Sequence, residues 1–183
     1  SQRPFFGKRG GITVSGGEPL LQAKALIPFF KMLKEEGFNT CIDTNGSILN
    51  ESVKELMQYT DLVLLDVKEF NEEAHRQLIG ASNKATLRMA EYLHGINQLV
   101  WLRYVLVPGH SDKSEHLHDL GRFLQPMQNI EKLEIQPYHK LGAHKYEALG
   151  WNYELEGVEQ NTTEQLRVAK EIFSLYVKEV IIN

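Results

Sequence analysis

Two apolar runs, Leu62–Val67 and Leu99–Val107, constrain this chain more than any other feature. Neither shows the clean polar–apolar alternation of a sheet with one wet face. Runs of this kind are expected to be buried on both sides, as in parallel sheets covered by helices. Shorter β-rich runs stand at Ile12–Ser15, Thr40–Asp43, Leu133–Gln136 and Glu179–Ile182. Helical patterns fill the intervals: about Pro19 to Glu36, then Glu51–Tyr59, Asn71–Leu78, Lys84–Leu93, Asp112–Leu124 and Thr162–Tyr176. Gly37 reads as a helix stop. Ser111 or Asp112, and Thr162 or Thr163, read as N-caps. Phe29, Phe30 and Leu33 read as helix core. Strand–helix alternation at this spacing predicts repeated right-handed βαβ units, in a closed barrel or an open doubly wound sheet.

The length of 183 residues fits one domain over 1–183. A formal net charge of −4 and no basic stripe argue against nucleic acid as a partner. No apolar run approaches a membrane span and no charged-then-apolar leader opens the chain, so a cytoplasmic setting is expected. Cys41 is the one cysteine, which excludes an internal disulfide and a cluster ligated by this chain's thiols alone. It reads as a small apolar residue on a strand.

The positions of the polar residues carry the functional signal. Ser15-Gly16-Gly17-Glu18 closes the first strand and Asp43-Thr44-Asn45-Gly46 the second. Asp66 and Lys68 close the third, Arg103 sits within the fourth, and Pro137-Tyr138-His139 closes the fifth. The C-terminal edge of parallel strands is where ligands bind in such folds. Charges gathered there without a ligand are costly, so a shared binding site is expected. Each piece has a plainer reading. Gly16 and Gly17 are a turn, or a place where backbone approaches a ligand. Glu18 is a first-turn acid, or a holder of the loop. Asp43 and Asp66 are turn acids, or a pair that binds a cation or a ligand ammonium. Lys68 is a solvated lysine, or the counter-charge to a ligand carboxylate. Arg103, flanked by large apolar residues, needs an anionic partner. His139 alone reads as a structural histidine. His110, His116, His118 and His144 make no metal spacing, and a solvated role is expected for His116 and His118. The segment Pro137–Asn161 is long for a loop, so it is either functional or holds a small further element.

Five blocks in order resemble the radical S-adenosylmethionine enzymes, and among them the glycyl-radical-enzyme activases of the pyruvate formate-lyase activating enzyme family. They are Gly10–Leu20 with its Gly-Gly-Glu, Asp43–Gly46, Asp61–Lys68, Arg103–Gly109, and Pro137–Gly142 followed by Lys145-Tyr146. The resemblance covers about Gly10 to Tyr153. It implies an α/β fold, a partial (β/α)6 TIM-type barrel. The backbone at Gly16 and Gly17, with Glu18, would receive the amino end of S-adenosylmethionine, and Lys68 and His139 its carboxylate or ribose region. Asp43 would lie beside the ligand and, with Thr44 and Asp66, would hold a monovalent cation. Arg103 would line the mouth that takes the partner's glycine loop. The implied partners are a glycyl radical enzyme, such as pyruvate formate-lyase, and a flavodoxin or ferredoxin as electron donor.

The family also carries a CxxxCxxC motif after its first barrel strand, whose thiolates hold a [4Fe–4S] cluster. This sequence lacks that motif. The N-terminal βα unit is therefore expected to be missing, an apolar edge exposed, and the chain inactive alone. Two other functions fit parts of the pattern: a TIM-barrel lyase or isomerase forming an imine at Lys68, and a non-catalytic module docking a partner through Pro137–Asn161.

Overall fold

The computed structural model describes residues 10–140, 149–150, 152–153 and 155–183. Six strands follow one another along the chain: β1 Gly11–Val14, β2 Asn39–Thr44, β3 Leu62–Val67, β4 Val100–Leu106, β5 Ile130–Pro137 and β6 Val180–Ile182. They form one six-stranded sheet in the order β1-β2-β3-β4-β5-β6, and every neighbouring pair is parallel. A doubly wound sheet reverses its strand order at a switch point. This sheet never reverses, so the architecture is α/β of the partial TIM-barrel type.

The helices are α1 Ala23–Glu35, α2 Glu51–Met57, α3 Glu72–Ile79, α4 Lys84–Gly95, α5 Ser114–Leu124 and α6 Thr163–Ser174. A 3-10 turn, Pro19–Gln22, leads into α1, and Pro28 lies inside that helix. Side chains set several of the starts. Asn50 accepts from the Val53 amide at 3.0 Å, and Asn71 from the Ala74 amide at 3.0 Å. Thr162 and Gln165 cap α6 reciprocally, as their spacing predicts. Ser111 and Asp112 do not cap α5, whose N-cap is Lys113 without a side-chain bond. They brace the loop before it instead. Ser111 Oγ accepts from the Val107 amide and donates to the Val105 carbonyl, both at 2.8 Å, and Asp112 accepts from the Gly109 amide at 2.8 Å.

The strands are not buried on both faces. In β3 and β4 fully buried residues alternate with half-buried ones. Val63, Leu65, Val67, Leu102, Tyr104 and Leu106 belong to the core that includes Leu56, Met89, Leu93, Leu117 and Phe173 of the helices. The alternate residues Leu64, Asp66, Trp101, Arg103 and Val105 line the other, concave face, which stays accessible. Leu64 and Trp101 are apolar, so an interior-facing row masks the period of two.

Phe30 and Leu33 are core residues as expected, at 0% and 4% exposure, but Phe29 points outward with Leu21 and Met32. Among the described residues β1 pairs only with β2, leaving its other edge unpaired. His116 is buried rather than solvated. It lies one turn before Leu120, on the buried face of α5. His118 shares a hydrogen bond with the Tyr176 hydroxyl at 2.9 Å.

Candidate functional site

The loop after β1 carries two successive glycines with positive φ, Gly16 at 93° and Gly17 at 54°. A Cβ at either would meet nothing within 4 Å, so the requirement is conformational and the surrounding space is open. Glu18 then fixes this loop to the next one. Its Oε1 accepts from the Leu20 amide at 3.0 Å and from the Thr44 hydroxyl at 2.7 Å. Its Oε2 accepts from the Asn45 amide at 2.9 Å. Both oxygens are committed to protein donors, so Glu18 is a brace that holds Gly16 and Gly17 against β2. The Thr44 hydroxyl is likewise committed, donating to Glu18 and accepting from the Gly46 amide at 2.9 Å.

On the concave face, alternation and register bring the charges together. Asp66 pairs with Arg103 in the β3–β4 ladder. The Arg103 guanidinium donates from Nε to Asp66 Oδ1 at 2.9 Å and from Nη2 to Asp43 Oδ1. Ser15 Oγ donates to Asp43 Oδ2 at 2.8 Å, and Lys68 Nζ to Asp66 Oδ2 at 3.0 Å. Two acids and two bases thus alternate in one chain of contacts, and all four carboxylate oxygens are engaged. Each of these charged side chains is between 18% and 32% exposed, in reach of solvent but largely desolvated. A cavity of about 290 Å³ opens beside them, lined by Asp66, Arg103, Gln136, Tyr138 and His139 among others. His139 is exposed at its rim.

The five strand ends singled out by the sequence therefore converge on one mouth. Lys145, Tyr146 and His144 lie outside the described residues. Among the described residues there is no group of three or more His, Cys, Asp or Glu side chains able to hold a metal ion. Cys41 is buried on β2 beside a second cavity at the opposite, N-terminal end of the strands. Burial, the largest influence on its thiol, raises the thiol's pKa.

Sequence reasoning missed two polar pairs. Lys132 and Glu134 on β5 meet at 2.7 Å, with Glu134 in ladder register with Arg103 and the Lys132 ammonium 3.6 Å from the Trp101 ring centroid. Their two-residue spacing was the available signal, but polar side chains at the start of a strand resemble a loop. The second pair is Glu69 with His116, whose Nδ1 lies 3.2 Å from Glu69 Oε1 behind the sheet. No sequence pattern links those two.

A model of the Radical SAM superfamily matches residues 3–121. The chain is 45% identical over 174 residues to the pyruvate formate-lyase 1-activating enzyme of Escherichia coli strain K12, covering 94% of this chain and 71% of that protein. The chain belongs to the pyruvate formate-lyase activating enzyme family of radical SAM proteins. A Staphylococcus aureus pyruvate formate-lyase-activating enzyme (strain USA300) is also 45% identical, with 91% of this chain and 69% of that protein covered. Among solved structures, a domain of pyruvate-formate lyase-activating enzyme from Bacteroides vulgatus superposes with a TM-score of 0.79 at 22% identity, covering 94% of this chain and 98% of that one. A radical SAM methyltransferase from Sphaerobacter thermophilus gives 0.72 at 16% identity, covering 100% of this chain and 53% of that one. Both show that the partial barrel is the radical SAM fold. No helix among the described residues is long and apolar enough to cross a membrane.

Proposed function

We propose that this chain is the S-adenosylmethionine-holding body of an activase that places a glycyl radical on a partner enzyme of the pyruvate formate-lyase type. The observation that carries the reading is the alternating group Ser15–Asp43–Arg103–Asp66–Lys68 at the mouth of four adjacent parallel strands. The amino-acid end of S-adenosylmethionine bears an ammonium and a carboxylate. The open backbone at Gly16 and Gly17 suits the ammonium end, held in place by the Glu18 brace. Lys68 suits the carboxylate, and His139 at the cavity rim suits the ribose or adenine side. Asp43 and Asp66 would serve a monovalent cation by giving up one of their present donors, Ser15, Arg103 or Lys68. Arg103, on the same cavity wall, faces the space a partner's glycine loop would use.

In this family a [4Fe–4S] cluster supplies the electron that cleaves S-adenosylmethionine. Three thiolates are needed to hold it, and Cys41 alone, buried on β2, does not fit that requirement. The residues here bind, orient and shield the ligand.

Calorimetry tests the reading. S-adenosylmethionine should bind saturably, weaker than micromolar, and Lys68→Met should weaken it about tenfold or more, as loss of one charge-assisted contact implies. No binding at millimolar ligand contradicts the reading. Supplying iron and sulfide to this chain should yield no 5′-deoxyadenosine, and robust turnover would show that the thiol argument is wrong. The Lys68 ammonium is committed to Asp66 at 3.0 Å, and no observation favours an imine-forming lyase over this reading.

A further inference from the structure

Resting on the S-adenosylmethionine reading, we infer that Glu69 and His116, buried behind the sheet, are positioning residues that aim Lys68. Val67 is the last residue of β3 with a ladder partner, Tyr104. Lys68 stands one residue beyond the sheet, so strand pairing does not fix its backbone. Its ammonium meets Asp66 Oδ2 at 3.0 Å on the concave face. The next side chain, Glu69, is 0% exposed and lies on the opposite side. Successive residues of an extended chain face opposite ways, so whatever holds Glu69 also sets the direction of Lys68.

Three elements reach Glu69. The Asn71 amide donates to Oε1 at 2.7 Å, and Asn71 in turn caps α3. Asn83, buried at the start of α4, donates from Nδ2 to the Glu69 carbonyl at 3.1 Å. His116 of α5 brings Nδ1 to 3.2 Å from Oε1. The first two contacts stay within the connection between β3 and α4. The third refers that connection to a helix beyond β4, and the Phe70 ring supports it by packing on Phe123 of α5, 5.5 Å between centroids. The start of α5 is itself tied to β4, because the Tyr104 hydroxyl donates to the Ser111 carbonyl at 2.8 Å. Tyr104 is also the ladder partner of Val67, so a closed frame surrounds the backbone of Lys68. The frame is not built for stability alone. Glu69 Oε2 and His116 Nδ1 have no hydrogen-bond partner among the described residues, and two apolar side chains would fill the same place without that cost. Polar contacts specify one geometry where apolar packing tolerates several, and a broken local rule beside a site residue is where a functional demand is expected.

A double-mutant cycle on S-adenosylmethionine affinity tests this, followed by amide chemical shifts at a temperature where each variant is folded. His116→Leu keeps a bulky side chain on the buried face of α5 and removes the polar contact. It should weaken binding about fivefold or more. In Lys68→Met, where the lysine is already gone, adding His116→Leu should change the affinity by less than about twofold. A merely structural pair gives no loss in either background, or the same loss in both, and either result overturns the inference. If His116→Leu does not fold, the wild type decides, because coupling between ligand and anchor is reciprocal. Saturating S-adenosylmethionine should then slow hydrogen exchange of the Asn71 amide, which Glu69 holds, about fivefold more than that of the Gln165 amide capping α6. Equal slowing of the two overturns the inference. A wild type that binds S-adenosylmethionine without this coupling sinks the inference alone; one that binds none sinks the functional reading with it.

Discussion

Replacing His116 with alanine should cost more stability than any surface change in this chain, and replacing its partner Glu69 with glutamine should restore most of the loss. Glu69 is 0% exposed. Its Oε1 accepts from the Asn71 amide at 2.7 Å and lies 3.2 Å from His116 Nδ1. Glu69 Oε2 and His116 Nδ1 have no hydrogen-bond partner among the described residues. Emptying a buried site of a large side chain and leaving a polar neighbour without its contact costs about 1–3 kcal/mol for the polar group, with lost packing added. His116→Ala should therefore cost about 3 kcal/mol. Glu69→Gln keeps an oxygen for Asn71 and replaces the orphaned Oε2, which itself costs about 1–3 kcal/mol. That variant should lie within about 1 kcal/mol of wild type, on either side. The double variant should then be more stable than His116→Ala alone, a strong departure from additivity. Urea unfolding with unchanged m-values is the assay. A His116→Ala loss under about 1 kcal/mol, or a double variant less stable than His116→Ala, would refute the argument that Glu69 is held by this contact.

Three further outcomes follow from other contacts. Glu18→Ala removes three hydrogen bonds, two of which tie the loop after β1 to Thr44 and Asn45 at the end of β2. It should cost about 2–4 kcal/mol at roughly 1 kcal/mol per bond and speed exchange of the Asn45 amide, and unchanged exchange there would contradict the brace. Gly46 has φ of +68°, and a Cβ there would lie 2.7 Å from Leu65 Cδ1. Gly46→Ala should lower stability by about 2 kcal/mol or more through strain and overpacking together, and a neutral result in thermal unfolding would count against the packing described. Asp61 is subject first to burial, which raises its pKa, but bonds from Lys34 and Thr40 outweigh burial and leave it lowered. A depressed folded value means stability that is present above the unfolded carboxylate range and lost as pH falls through the folded one. The stability gap between wild type and Asp61→Asn should therefore be widest at neutral pH and shrink in acid, and a gap that widens in acid would show the sign to be wrong.

The strands were largely readable before the structure, while their unreversed order in the sheet was implied only by the family resemblance. Leu62–Val67 is bounded as expected because its apolar run ends sharply at Lys68. β5 begins three residues earlier than its apolar run, because Lys132 stacks on Trp101 and Glu134 on Lys132 inside the barrel, where polar residues pass for a loop. Which residues lie near the mouth was legible too, since all but Arg103, which sits within β4, stand at or beside the end of a neighbouring strand. How they pair was not. Arg103 reaches Asp43 across 60 positions and Glu18 reaches Asn45 across 27, and side-chain contacts at that separation leave no local signature. The same blindness hid His116, whose burial follows from the face of α5 it shares with Leu120.

The most direct measurement is an amide chemical-shift map of this chain titrated with S-adenosylmethionine. Perturbations should gather at Gly16, Gly17, Asp43, Lys68, Arg103 and His139, the ends of successive strands around one mouth. Shifts centred instead on Cys41, Leu62 and Trp101 at the opposite end, or spread over both, would contradict the account.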